Sequence, residues 1–516
     1  MLNSQLSLLE AQGLVSLTAA DPELEYAFSH PLLQEAAYAS LTHADRRGLH
    51  EAVGTALEAL YPDRLDELAP RLADHFFYAG DTVRAVQYSI QAGRAAQGVY
   101  ANTEAALHYR RALNLIRQRG DYAQDEDIFI DLCKSLGRSL ELAGQYPEAL
   151  AHYEVMEADA RASGSRRLEL AALLARGTVQ SIPTVLFDPG QAREVSERAL
   201  ALARDLGDRA AESKALWNYL LLGAFTDQYE EALRNGEQSL AIARELGLKE
   251  QIAFTLNDMS SYVHIARGDV YISDGMLAEA RQIWEELHNL PMLADTLTNL
   301  GFNRFIAGDF DRSLEWSSEA YRISASINNT WGMAYSQGIR TFVVSLRGLA
   351  DQAFLSIDQA IAFGKQSGFT ALPHIIYALK ASLYGMLGSP QVGIPIAREA
   401  IEIGRQGFTV WHPAAYASLA YLQALAGQPE EAQATLQASG RTGMEADTIL
   451  ISSLYTQAIS EIYLAQGAYQ LLLDYLDSYL AHLDQYDASG FQPIGRYYRG
   501  AALFQAGRLP EAVDSL

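Results

Sequence analysis

The stretch Gly301-Phe302-Asn303-Arg304-Phe305-Ile306-Ala307-Gly308-Asp309-Phe310-Asp311-Arg312-Ser313, closed by Ala320, recurs in outline along the chain. Its central glycine, Gly308, has counterparts at Gly268, Gly348, Gly388, Gly427, Gly467 and Gly507, so the glycines step by 40, 40, 40, 39, 40 and 40. Earlier members are Ala79-Gly80-Asp81 and Ala143-Gly144-Gln145-Tyr146. A weaker one, Asp227-Gln228-Tyr229, stands 41 before Gly268, and another is placed near Phe187-Asp188-Pro189. Small residues keep the same register. Seven positions before the glycine stand Gly137, Ser261, Gly301, Thr341, Ala381, Ser460 and Gly500. Five after it stand Ala85, Ala149, Ser273, Ser313, Ala353, Gly393, Ala432 and Ala512, and twelve after it Ala92, Ala280, Ala320, Ala360 and Ala400. A glycine ends a helix where a positive φ costs it nothing, and small residues let antiparallel helices approach closely.

This small–turn–small–small arrangement resembles the tetratricopeptide repeat (TPR) family, in which it defines helix A, a tight turn and helix B. The period departs from the family's 34 residues; six extra residues, if helical, add roughly 9 Å per repeat. The fold expected is all-α: a TPR-like helical-hairpin solenoid, a right-handed superhelix with a period of about 40 residues, over residues 121–516. Residues 61–120 read as irregular first helical hairpins. Thr82 to Tyr100 forms one helix there, and a turn near Asn102 precedes another from Ala105 to Arg117. Gly120 to Asp127 reads as an acidic, polar loop. The last helix opens at Gly507-Arg508-Leu509-Pro510-Glu511-Ala512 and stops at Leu516, so the array is expected to be truncated at its C-terminus.

Residues 1–60 do not fit the repeat. Ser4 to Gln12 is helical and Gly13 ends it. Leu14-Val15-Ser16-Leu17 and Leu24-Glu25-Tyr26-Ala27-Phe28 alternate like two short strands around an Asp21-Pro22 turn. Ser29 is placed to cap a helix starting at His30-Pro31. Helix, hairpin, helix is the end of a winged-helix unit. The string Phe28-Ser29-His30-Pro31-Leu32-Leu33-Gln34-Glu35-Ala36-Ala37-Tyr38-Ala39-Ser40-Leu41, with Arg46-Arg47-Gly48-Leu49-His50, resembles the junction in adenylate/guanylate cyclase–ATPase–TPR proteins. In these a STAND-type ATPase and a winged helix precede a TPR arm. It is also similar to large LuxR-type regulators built on that ATPase. The resemblance implies a nucleotide-contacting role for His30 when an upstream ATPase domain is present. Read from the residue alone, His30 caps its helix or packs locally.

The bulk numbers fit this frame. The 516 residues are 49% hydrophobic, with 38 Gly against only 15 Pro. A net charge of −24 repels phosphate backbones and anionic lipid, which excludes nucleic acid and membrane as main partners. Cys133 is the sole cysteine, which suits a reducing cytoplasm. No phosphate loop occurs: Gly364-Lys365 lacks the upstream glycine. No C-x-x-C, H-E-x-x-H, G-x-S-x-G or G-x-G-x-x-G occurs either. Cys133 sits in the apolar helical setting Phe129-Ile130-Asp131-Leu132 and reads as a packed small hydrophobe. Arg110, Arg111, Arg117 and Arg119 form a basic spot, read as a solvated face or a dock for an acidic partner. Asp125-Glu126-Asp127 lacks the Gly and Glu of a calcium loop. The 28 tyrosines, among them Tyr146, Tyr153, Tyr229, Tyr384, Tyr463 and Tyr469, read mostly as interhelical packing, with a minority lining a concave groove. The chain is therefore expected to be a non-catalytic interaction and regulatory arm, with no cofactor and no metal of its own. It would hold a protein or peptide partner in a concave groove. The alternative is a small-molecule-sensing arm of a STAND-type transcription regulator.

Overall fold

Gly308 takes φ 79° between the helices Leu290–Ile306 and Phe310–Ser326, as its place in the repeat requires. Asp227 does the same work without being glycine, at φ 58°, between Arg209–Ala224 and Tyr229–Leu246. The computed structural model describes residues 2–19, 24–120, 126–265, 269–369, 371–405, 412–441 and 449–515. These are almost wholly helical, and their one sheet is a two-stranded hairpin. Among them no helix is long and apolar enough to cross a membrane. The chain divides into two compact units, Met1–Leu136 and Gly137–Leu516.

The first unit opens with helix Leu2–Ala11 and the antiparallel strands Val15–Ala19 and Glu25–Phe28, which pair Val15 with Phe28 and Leu17 with Tyr26. The expected Asp21-Pro22 turn lies outside the described residues. Helix Pro31–Ser40 is capped by His30, not Ser29: the ring Nδ1 accepts the Leu32 N–H at 3.2 Å. Helix His43–Leu60 then reaches helix Leu65–Ala79 through the single 3₁₀ turn Pro62–Arg64. That short link forces direct packing. Gly54 admits the Phe76 ring so closely that a Cβ there would lie 2.8 Å from it. Glu58 accepts from Tyr88 Oη at 2.6 Å and from Arg84 Nη1 at 3.1 Å. Helices Thr82–Gly98 and Asn102–Arg119 follow, separated by a turn with Tyr100 at φ 61°. The polar loop expected to run to Asp127 is shorter, because helix Glu126–Leu142 already starts at Glu126.

In the second unit the hairpins follow one another. Their first helices include Arg166–Ser181, Arg209–Ala224, Lys249–Asp258, Leu290–Ile306, Thr330–Leu346, Ala371–Met386, His412–Leu425, Ile449–Gln466 and Gln492–Gln505. The register positions Ala149, Ser273, Ser313, Ala353, Ala360 and Ala432 are all buried. A Cβ on Gly393 would come within 2.6 Å of the Ala381 carbonyl oxygen, so the glycine is sterically required.

One register position moves. Helix Lys249–Asp258 runs on as a π-helix over Met259–His264. A π turn inserts one residue into a helix. Equivalent buried positions on either side of the inserted residue are therefore 41 apart, Ala253 to Ala294 and Ser260 to Gly301, and from Val263, near the end of the π turn, the step to Asn303 is 40 again. The small residue that meets Ser273 is accordingly Ser260, with the two Oγ atoms 2.6 Å apart, rather than the expected Ser261.

The second unit also touches itself over long sequence distances. Arg441 pairs with Asp227 at 3.0 Å, and Ser489 Oγ donates to the Ala307 carbonyl at 2.5 Å. Thr184 forms an isolated antiparallel bridge with Phe369, and Tyr146 meets Trp331 edge-on. Between these contacts one hydrophobic core runs from Trp217 and Leu221 through Phe305, Phe342 and Ile375 to Leu454 and Phe491.

Candidate functional site

The first helices place two side-chain rails next to each other. One carries Trp217, Asp258, Asn299 and Ile339, at steps of 41, 41 and 40; the other carries Phe254, Asp295, Tyr335 and Ile375, at steps of 41, 40 and 40. The polar members bond between neighbouring repeats. Trp217 Nε1 donates to Asp258 Oδ2 at 2.8 Å. Asn257 Nδ2 donates to Asp258 Oδ1 at 3.2 Å and to Asp295 Oδ2 at 2.9 Å, so one amide bridges both carboxylates. Asn257 Oδ1 in turn accepts from Thr296 Oγ1 at 2.9 Å and Asn299 Nδ2 at 3.3 Å. Asn299 Nδ2 also reaches Asp295 at 3.2 Å, and its Oδ1 accepts from Tyr335 Oη at 2.5 Å.

Lys214 lies on the same face. Its ammonium sits 3.6 Å above the Trp217 ring and 5.5 Å from that of Phe254. Among the described residues, none forms an ion pair with Lys214, Asp258 or Asp295. Aromatic rings extend the face. Phe225 meets Tyr262 at 4.7 Å between centroids, Trp331 stacks on Phe369 at 3.9 Å, and Tyr335 approaches Phe369 at 6.2 Å.

The electrostatics follow from burial without a salt bridge. Burial, then the Asp295 carboxylate, pushes Asp258 up to about 7, against the hydrogen bonds from Asn257 and Trp217 and the charge of Lys214. Burial raises Asp295 to about 6 despite the amides of Asn257 and Asn299. Burial, then Arg138, lowers Lys214 to about 8, opposed by Glu141, Glu250 and Asp258. Glu157, only 1% exposed, is the contrast. Burial pushes it up, but Arg161, Arg198 and Arg176 all bond its carboxylate and hold it down to about 2. Glu157 is a saturated node between hairpins; Asp258 is buried and Lys214 and Asp295 are part-buried, yet among the described residues no salt bridge completes them. Buried charges are ordinarily paired.

The residues singled out from sequence lie elsewhere. His30 is exposed at its helix cap. Arg111 pairs with Asp74, and Arg117 stands 5.9 Å from the Phe129 ring centroid. Cys133, Tyr146 and Tyr153 are buried in packing. Asp125 lies outside the described residues, while Glu126 and Asp127 occupy the first turn of a helix. Among the described residues, no three His, Cys, Asp or Glu side chains gather as metal ligands. Sequence reading missed Lys214, Asp258 and Asp295. The trace it had was the step of 41 between Asp227 and Gly268, the inserted residue of the π turn beside Asp258.

A family model described as tetratricopeptide repeat matches residues 413–438. No curated protein matches the chain. Among solved structures it is similar to the Rap protein complexed with competence and sporulation factor, at 12% identity and a TM-score of 0.52, covering 69% of this chain and 96% of that one. It is also similar to a signal transduction ATPase with numerous domains (STAND) carrying a tetratricopeptide repeat sensor, from Pyrococcus horikoshii. There the identity is 13% and the TM-score 0.38, with 84% of this chain and 57% of that one covered. A third is the Cut9–Hcn1 hetero-tetramer of the APC/C, at 12% and 0.34, covering 84% of this chain and 96% of that one. At 12% identity the likeness to the Rap protein is one of fold, and with the matched repeat it describes a TPR-type array of helical repeats.

Proposed function

We propose that this TPR-type helical repeat protein is a non-catalytic binding and regulatory arm that holds a peptide or an extended protein segment along its first-helix row. The observation that carries the reading is the group of buried Asp258 with part-buried Asp295 and Lys214, which make no salt bridge among the described residues and lie among aromatic rings. Such a face lets polar anchors fix a ligand while aromatic walls supply contact area. The Rap protein, similar in fold, is described in complex with competence and sporulation factor, which agrees with a ligand held by such an array. The Phe28–Leu41 string supports placing the arm in a cytoplasmic, bacterial-type ATP-dependent signalling protein with an upstream ATPase domain. In that setting His30 would face the nucleotide. Direct packing of helix His43–Leu60 onto the first hairpin gives a stiff route from that hairpin toward an upstream ATPase domain. Such a route transmits a signal only if the partner binds two states unequally. The test is selection of a displayed random-peptide library on the whole chain. Enriched peptides should bind at least tenfold more weakly to the Asp258→Ala and Asn299→Ala variants. Failure to enrich, or enrichment indifferent to both substitutions, removes the reading.

A further inference from the structure

We infer that the part of the ligand recognised at this site is a zwitterionic head, with an ammonium set against Asp258 and Asp295 and a carboxylate set against Lys214. The inference rests on the first-helix row being the binding face, and it names the chemistry that face takes.

A part-buried lysine beside one buried and one part-buried aspartate would ordinarily close into ion pairs. Here Trp217 touches both Lys214 and Asp258. Its ring carries the Lys214 ammonium at 3.6 Å, and its Nε1 holds Asp258 Oδ2 at 2.8 Å. The indole is thus a spacer that keeps opposite charges near each other and apart. All three groups are pushed toward their neutral forms where they stand, and a complementary ligand charge restores the charged form, so a ligand supplying both complements is favoured at both ends. A singly charged ligand is favoured at only one. The carboxylates are pre-set for an ammonium: Asn257 bridges Asp258 and Asp295, Asn299 donates to both Asn257 and Asp295, and Tyr335 of the following repeat holds Asn299. Tyr262 and Tyr335 lie close enough to both carboxylates to feel their charge, so aromatic rings wall the ammonium position, an arrangement that favours cations. The π turn belongs to the same device. Its extra residue lies between Asp258 and Asn299 and gives the step of 41 that brings these two into line.

Beyond the charged end the row turns apolar. Phe302 lies one turn past Asn299 and meets Phe342 at 6.1 Å, and a small cavity lined by Phe305, Phe342, Leu379, Leu454 and Phe491 follows. A zwitterionic head followed by an apolar side chain fits this order. Free apolar amino acids and peptides of two to five residues share that chemistry.

The experiment is calorimetric titration of the whole chain with four sets of probes. These are free L-leucine and L-phenylalanine, their N-acetyl derivatives, their amides, and leucine- and phenylalanine-rich peptides of two to five residues. Unblocked compounds should bind at least tenfold more tightly than N-acetylated or amidated ones, and the tighter of the amino-acid and peptide sets identifies the source. In Lys214→Met the acid and the amide should bind equally; in Asp258→Asn the advantage of the free amine should shrink. Equal binding of blocked and unblocked probes to the unaltered protein overturns the inference, whether or not the variants fold. Row-dependent enrichment of library peptides with no binding by any unblocked probe also overturns it and leaves the binding face standing. Loss of row dependence in the library removes the binding face itself.

Discussion

Asp258 and Glu157 are both buried carboxylates, and their surroundings drive them in opposite directions. Three guanidiniums hold Glu157 down, so it contributes stability above its unfolded value that is lost only as pH falls toward about 2. Asp258 is raised to about 7 from an ordinary 3.8. Between those values the folded state holds a proton that the unfolded state has released, so stability falls as pH rises through this window. The slope approaches about 1.4 kcal/mol per pH unit for a whole proton. Asp258→Asn cannot titrate. Urea unfolding at pH 4.5, 5.5 and 6.5 should therefore show the variant gaining on the native chain as pH rises, and a constant difference would mean that Asp258 has a paired, ordinary carboxylate. Sequence could not flag Asp258, because an aspartate inside a helical pattern reads as solvent-facing until its neighbours from other repeats are known.

At the scale of the element, most of the fold was legible. A glycine every 40 residues marks the end of a first helix, and the small residues five and twelve positions on mark where the second helix packs. Ala360, fully buried in helix Ala350–Ser367, is such a position. Ala360→Leu has nowhere to put its added carbons and should cost about 1–3 kcal/mol by overpacking, read as a lower midpoint in chemical denaturation. An unchanged midpoint would mean that the hairpins do not approach at that position. The exceptions to the pattern have local causes. Asp227 and Tyr100 take the left-handed turn conformation without being glycine, which weakens the turn signal at both sites. The π turn shifts the register upstream of itself by one, so Ser260 takes the place assigned to Ser261. His30 caps its own helix because its ring nitrogen reaches the Leu32 N–H.

At the scale of the molecule, the second unit closes on itself through contacts such as Gly490 against Phe305. A Cβ on Gly490 would lie 2.1 Å from the Phe305 carbonyl oxygen, a backbone atom at a helix end that cannot give way cheaply. Gly490→Ala should therefore separate residues 489–491 from 305–307 and unseat Phe491 from its 5.2 Å edge-on contact with Phe305. Hydrogen exchange should quicken around Tyr486–Phe491 while helical content stays nearly constant; unchanged protection there would show that the contact does not hold the turns together. Sequence by itself determined the helical hairpins, their length and their turns, because backbone conformation at a glycine and burial of a small residue are set within one repeat and reappear in the next. Only the tertiary structure decided the site and the contacts that close the unit. Trp217, Asp258, Asn299 and Tyr335 come from four different repeats, and each is ordinary in its own. Which residues meet across some two hundred positions depends on small rotations summed from repeat to repeat, and no local pattern of residue types encodes that sum.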